Sequence, residues 1–157
     1  MTITNATFII ERVLNASPER VFAAYSSLEA KSAWFKAPLD VETLNRDFDF
    51  RVGGQERFHA RWPSGMVTDF QAAYRDIVKN ERIILVYDMI HNGDKLSVSL
   101  MTLEFMAEGD GTRLIHTEQG AYLTGGAEAV TSREHGTAWH IDNLCAVLEG
   151  RQTEAFA

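Results

Sequence analysis

The chain has 157 residues, of which 45% are hydrophobic and 24% charged, with only 3 prolines and 11 glycines. That length suits one domain, 1–157 with its core in 8–150, and lets ~69% of the extended surface be buried without a disulfide or a metal, while the composition excludes collagen-like, low-complexity and globally disordered classes. A net charge of −7 without a basic stripe argues against nucleic acid and anionic lipid as partners, and no run approaches the ~18 apolar residues of a membrane span.

The opening residues lack a basic segment followed by a long apolar run, so they do not read as a signal peptide, and a cytoplasmic location is expected. A strand is predicted from Thr7 to Leu14. Ser17 then caps a helix with Pro18 at its first position, where a missing N–H costs nothing, and Val21, Phe22 and Tyr25 form its apolar side. A second short helix is predicted over Leu28 to Phe35, ending in a loop at Pro38.

From about Val41 to Gly120 the hydrophobic period changes to two. Asp47, Asp49 and Arg51 alternate with Phe48, Phe50 and Val52 before a Gly53-Gly54 turn. Phe58, Ala60 and Trp62 share one strand face opposite Arg57, His59 and Arg61. Pro63-Ser64-Gly65 turns into a strand from Met66 to Val78, with a bulge expected at Ala72-Ala73. Arg82–His91, a turn at Asn92-Gly93-Asp94, Leu96–Ala107, a turn at Glu108 to Gly111 and Thr112–Gly120 complete a meander of about six strands.

After Gly125-Gly126 the period returns to 3.6. Val130, Ala138, Ile141, Cys145 and Leu148 line one side of a long helix ending near Gly150, and the tail from Arg151 is expected to fray. Cys145 is the one cysteine, so no intrachain disulfide can form, and its place on the apolar side suits a small core residue in a reducing compartment. The fold class is therefore α+β: a curved antiparallel sheet of six to seven strands around a long C-terminal helix, with two short helices after the first strand. One helix cannot fill the concavity of such a sheet, and cavities so formed bind apolar ligands.

Four motifs now stand in order: Ile9 to Phe22, a strand running into "a-p-e-x-V-F"; Trp34-Phe35-Lys36-Ala37-Pro38; Asp49-Phe50-Arg51-Val52-Gly53-Gly54, matching "D-x-R-x-G-G"; and Gly111-Thr112-Arg113-Leu114, matching "G-T-x-L". In this order the chain, from Phe8 to Leu148, resembles the START/Bet v 1-like (SRPBCC, helix-grip) superfamily. Its closest likeness there is to the small single-domain proteins of the activator of Hsp90 ATPase homologue 1-like (AHSA1) family. His135-Gly136-Thr137 replaces the frequent Gly-Trp of the last helix and fits a subgroup with "H-G-T" there.

The resemblance implies a non-catalytic pocket for a small hydrophobic or aromatic ligand between sheet and helix, with Trp34, Phe58, Trp62, Phe70, Tyr74, Tyr87, Met89, Met101, Leu103 and Phe105 as its wall. An Hsp90-type chaperone is the alternative partner that the family name implies, and a homodimer is a further expectation.

Among the five histidines, His135 and His140 lie ~140° apart round a helix, and no H-E-x-x-H motif occurs, so no metal or cofactor is expected. His116 and Glu118 share a face with Leu114. Pointing into the cavity, they anchor a ligand carbonyl or hydroxyl, or serve as an acid–base pair for a cyclase- or hydrolase-type reaction. At the strand's wet end, or turned outward, they do neither. Trp139, ~100° off the helix's apolar side, either roofs the cavity or makes a dimer contact.

Overall fold

The computed structural model describes residues 2–156; Met1 and Ala157, the ends of the expected domain, lie outside them. The chain opens with β1 (Thr4–Leu14), which begins earlier than Thr7 because its first residues still find partners on the last strand, Thr4 opposite Tyr122. Ser17 Oγ accepts from the Arg20 N–H at 3.3 Å and starts α1 (Pro18–Ser26), which buries Val21, Phe22, Ala24 and Tyr25. Ser27 caps α2 (Leu28–Ser32) by accepting from the Ala30 N–H at 3.2 Å. This helix stops short of Phe35. Trp34 Nε1 donates to the Ala24 carbonyl at 2.9 Å, which fixes the Trp34-Phe35 segment as a turn against α1.

Six strands follow: β2 (Glu42–Phe48), β3 (Gln55–Arg61), β4 (Val67–Val78), β5 (Arg82–His91), β6 (Asp94–Glu108) and β7 (Gly111–Tyr122). The sheet order is β1-β7-β6-β5-β4-β3-β2, and each neighbouring pair is antiparallel. The alternation expected through Val52 stops at Phe48. Beyond it the backbone turns, with the Gly54 N–H donating to the Arg51 carbonyl at 2.8 Å, Gly53 at φ 83°, and Val52 exposed. The bulge in β4 falls between Tyr74 and Asp76 rather than at Ala72-Ala73, so Ala72 and Tyr74 stay on one inward face.

α3 (Gly126–Leu148) lies over the concave face. Its C-terminal half carries the buried residues Ile141, Leu144, Cys145 and Ala146. There the concavity is filled by Phe22 and Tyr25, whose rings stand edge-on to Phe105 at 5.7 and 5.5 Å. The N-terminal half of α3 has no fully buried side chain, and the expected apolar stripe is only half-buried at Val130 and Ala138. The reason is that this half spans a cavity.

The tail is not frayed as expected. It has no regular structure, yet Thr153 Oγ1 accepts from Lys36 Nζ at 3.2 Å and the Glu154 carbonyl accepts from Trp139 Nε1 at 3.1 Å. The Phe156 ring lies 5.1 Å from Trp139. No helix of the described residues is long and apolar enough to cross a membrane.

Candidate functional site

Sheet curvature under the N-terminal half of α3 leaves a partly open cavity of about 380 Å³. That volume is within the range of small-molecule sites. Trp34, Phe58, Trp62, Phe70, Tyr74, Tyr87, Met89, Met101, Leu103, His116, Glu118 and Trp139 all lie on its wall. Most do so because the inward positions of β3 to β7 recur every two residues. Phe105 is the correction: it is buried off the wall against Phe22 and Tyr25, at the filled end of the concavity. Trp139 roofs the mouth beside Phe156.

The inward face of β7 brings His116 and Glu118 to the floor. Both are buried, at 4% and 1% exposure, with Nε2 and Oε1 3.3 Å apart. Glu118 Oε2 accepts from the Tyr87 hydroxyl at 2.9 Å. Ser99 and Gly120 stand in line with Tyr87 across β6 and β7, and the Tyr122 ring packs over Gly120, where a Cβ would stand 2.9 Å from it. The Tyr87 oxygen in turn accepts from Arg133 Nη1 at 2.9 Å, and Arg133 Nη2 donates to Ser97 Oγ at 2.8 Å. Arg133 thus ties α3 to the floor. Burial, reinforced by Glu118, pushes the Tyr87 phenol far above its ordinary range, so it stays protonated. Burial works against the charge of Arg133, but Tyr87, Glu118 and Tyr122 outweigh it and its pKa is raised.

A second polar cluster lies at the α2 end. Lys31 Nζ donates to Glu56 Oε1 at 2.6 Å, and the Tyr74 hydroxyl donates to the same oxygen at 2.5 Å. Glu56 Oε2 has no partner among the described residues. Burial lowers the Lys31 pKa against the opposing pull of Glu56, and Arg46 adds to the lowering. The Phe35 ring lies 4.9 Å from Lys31 Nζ and 4.7 Å from the His140 ring. Burial holds His140 down to about 4, while its bond to the Trp34 backbone opposes the shift.

Lys31, Arg133 and His140 are wall residues that the sequence does not assign to the cavity, and Glu56 backs Lys31 from behind the wall. Glu56 carries a signal, since it lies two residues before Phe58 on the face assigned inward. Arg133 carries none, because the apolar stripe in that half of the helix rests on Val130 and Ala138 alone, and a long charged side chain beside it reads as surface. Cys145 is buried and its thiol is pushed up to about 11, first by burial and then by Asp142 and Glu149, which suits packing rather than nucleophilic attack. Among the described residues no group of three or more His, Cys, Asp or Glu is placed to hold a metal ion.

Residues 15–149 match the family described as Activator of Hsp90 ATPase homolog 1-like protein. The chain is 36% identical to the Mll3558 protein of Rhizobium loti, with a TM-score of 0.86 over 93% of this chain and 99% of that one. It is 39% identical to an uncharacterized protein of Rhizobium leguminosarum, with a TM-score of 0.89 over 96% and 98%. An AHSA1-like protein of Aeromonas hydrophila, 19% identical, shares the fold with a TM-score of 0.66 over 92% and 93%.

Proposed function

The chain belongs to the Activator of Hsp90 ATPase homolog 1-like protein family, and we propose that it binds a small, mostly apolar molecule in the cavity between the sheet and α3. The observation that carries this reading is the wall itself. Aromatic and aliphatic side chains surround about 380 Å³, with a few polar groups converging on one side from Glu118, Tyr87 and Arg133. Such a combination fixes an apolar body and orients one polar group on it. Protein side chains do not fill this space, and a bound molecule would supply the dispersion contacts its lining lacks.

Mass spectrometry of the purified protein, native and then denatured, tests the reading together with melting in the presence of small apolar probes. The expected result is a defined extra mass released on denaturation, or a probe-dependent rise in Tm. Met101→Trp, which fills the cavity from β6, should abolish either while the protein stays folded. No adduct and no probe-dependent shift, or a shift unchanged in Met101→Trp, overturns the reading. An Hsp90 ATPase assay at saturating protein is the control that separates a cavity function from a surface function.

A second reading keeps the cavity and adds proton transfer by His116 and Glu118, favoured by their 3.3 Å contact on its floor. A bound molecule recovered in altered form from the native protein, and unaltered from Glu118→Gln, selects it.

A further inference from the structure

The charges on the cavity wall run against those of the whole chain. The net charge of the protein is −7, yet among the described residues the wall carries Lys31, Lys36 and Arg133 against one carboxylate, Glu118. Lys31 is matched from behind by Glu56. Arg133 is not matched directly. Its guanidinium makes two hydrogen bonds, both to neutral hydroxyls, Tyr87 and Ser97. Among the described residues no carboxylate oxygen comes within ion-pair distance of it. Glu118 is held off because the Tyr87 oxygen stands between them, accepting from Arg133 and donating to Glu118.

A guanidinium has five N–H donors, so three of those on Arg133 have no partner among the described residues. The group is also preorganised. Tyr87 and Tyr122 rings lie 5.5 and 5.4 Å from its central carbon, and the two hydroxyls hold it in place. The side chain is half-buried, and a cation partly stripped of water and without a carboxylate gains from an anion brought to it. Arginine takes a carboxylate through two parallel N–H donors, in a geometry an ammonium cannot offer.

We propose that Arg133 is the docking point for the carboxylate of the cavity's ligand, which is therefore an apolar carboxylic acid bound as its anion. The inference rests on the cavity reading above and adds the chemical class of the ligand. In the bound state the apolar body lies among Phe70, Met89 and Met101, and the carboxylate accepts from the free N–H groups of Arg133. Glu118 stays paired with Tyr87 and orients the phenol, so that it does not compete for the guanidinium.

The test is calorimetric titration at pH 7.5 with matched probes, decanoate against decanol and 2-naphthoate against 2-naphthol. The acids should bind about 10- to 100-fold more tightly than their alcohols, as charge-assisted hydrogen bonds in a buried site do. Arg133→Met should bring the acids down to the affinity of the alcohols and leave the alcohols within about threefold. Arg133→Lys should restore only part of the preference, and Arg113→Met, which removes an exposed cation paired with Glu11 away from the cavity wall, should leave it intact. Equal binding of acid and alcohol by the wild type, or a preference that survives in folded Arg133→Met, overturns the assignment of Arg133 and leaves the cavity reading standing. Absence of binding by all four probes overturns both.

Discussion

The ammonium of Lys31 lies 2.6 Å from Glu56 Oε1, with 8% and 1% of the two side chains exposed. This ion pair joins the five-residue α2 to β3. Attraction between the charges and desolvation of both nearly cancel in such a pair, but removing one partner leaves a bare charge behind. Lys31→Met should therefore destabilise the protein by about 3–5 kcal/mol in denaturant unfolding. Adding Glu56→Leu should recover most of that loss, although Tyr74 then loses its acceptor. A single variant as stable as the wild type would mean that the pair is not formed.

His140 makes stability depend on acid. Its folded pKa is about 4 against an ordinary 6.5, so between those values the unfolded chain binds the proton and the folded one does not. Stability is then fully present above pH 6.5, falls as the pH drops toward 4, and levels off below. The drop from this group is up to about 3 kcal/mol, since each tenfold difference in proton affinity between the two states is worth about 1.4 kcal/mol. His140→Leu should flatten the pH profile of unfolding over that window relative to the wild type. An unchanged slope would assign the acid sensitivity elsewhere.

The Asp49–Gly54 turn is legible from its glycines, and the structure shows why the second is needed. A Cβ on Gly54 would stand 2.1 Å from the Asp49 carbonyl oxygen and 2.9 Å from that of Arg51, both backbone atoms that cannot swing away. Gly54→Ala should cost about 2 kcal/mol or more, since the turn must open to admit the methyl. Gly53, at φ 83° with open space beside it, should tolerate asparagine far better than a β-branched residue. Thermal melting of the two variants side by side checks the contrast.

Much of the fold can be read because its signals are local. A serine with a following proline, alternation in strands and glycine-marked turns each act within a few residues. The sequence also puts His116 and Glu118 on one face, and it leaves open whether that face meets the cavity. The side of the sheet on which α1 and α3 pack decides that, because it covers the face of β7 that carries both residues. Phe105 is misassigned to the wall for a related reason. It shares its strand face with Met101 and Leu103, and nothing in that period tells which end of the concavity α1 fills. Lys31 and Arg133 escape notice because a long charged side chain on a helix reads as surface until the partner across the fold is known.

The tail is the other misreading, and it concerns how the cavity is entered. Residues beyond Arg151 show no periodicity, yet Phe156 lies on the cavity wall against Trp139, with its ring 5.4 Å from that of His135. The Trp139 bond to the Glu154 carbonyl and the Lys36 bond to Thr153 fasten the same strap across the mouth. A partly exposed aromatic pair of this kind is worth about 0.5–1.5 kcal/mol, so its loss should change exchange rates more than global stability. Phe156→Ala should release a bound probe such as 2-naphthoate about 2- to 10-fold faster in stopped-flow fluorescence. Its Tm should stay close to that of the wild type. Trp139→Phe keeps a ring for Phe156 but loses the bond to Glu154, and should fall between the two. Equal release rates in all three proteins would show that a ligand passes elsewhere, and that the strap only covers the aromatic roof.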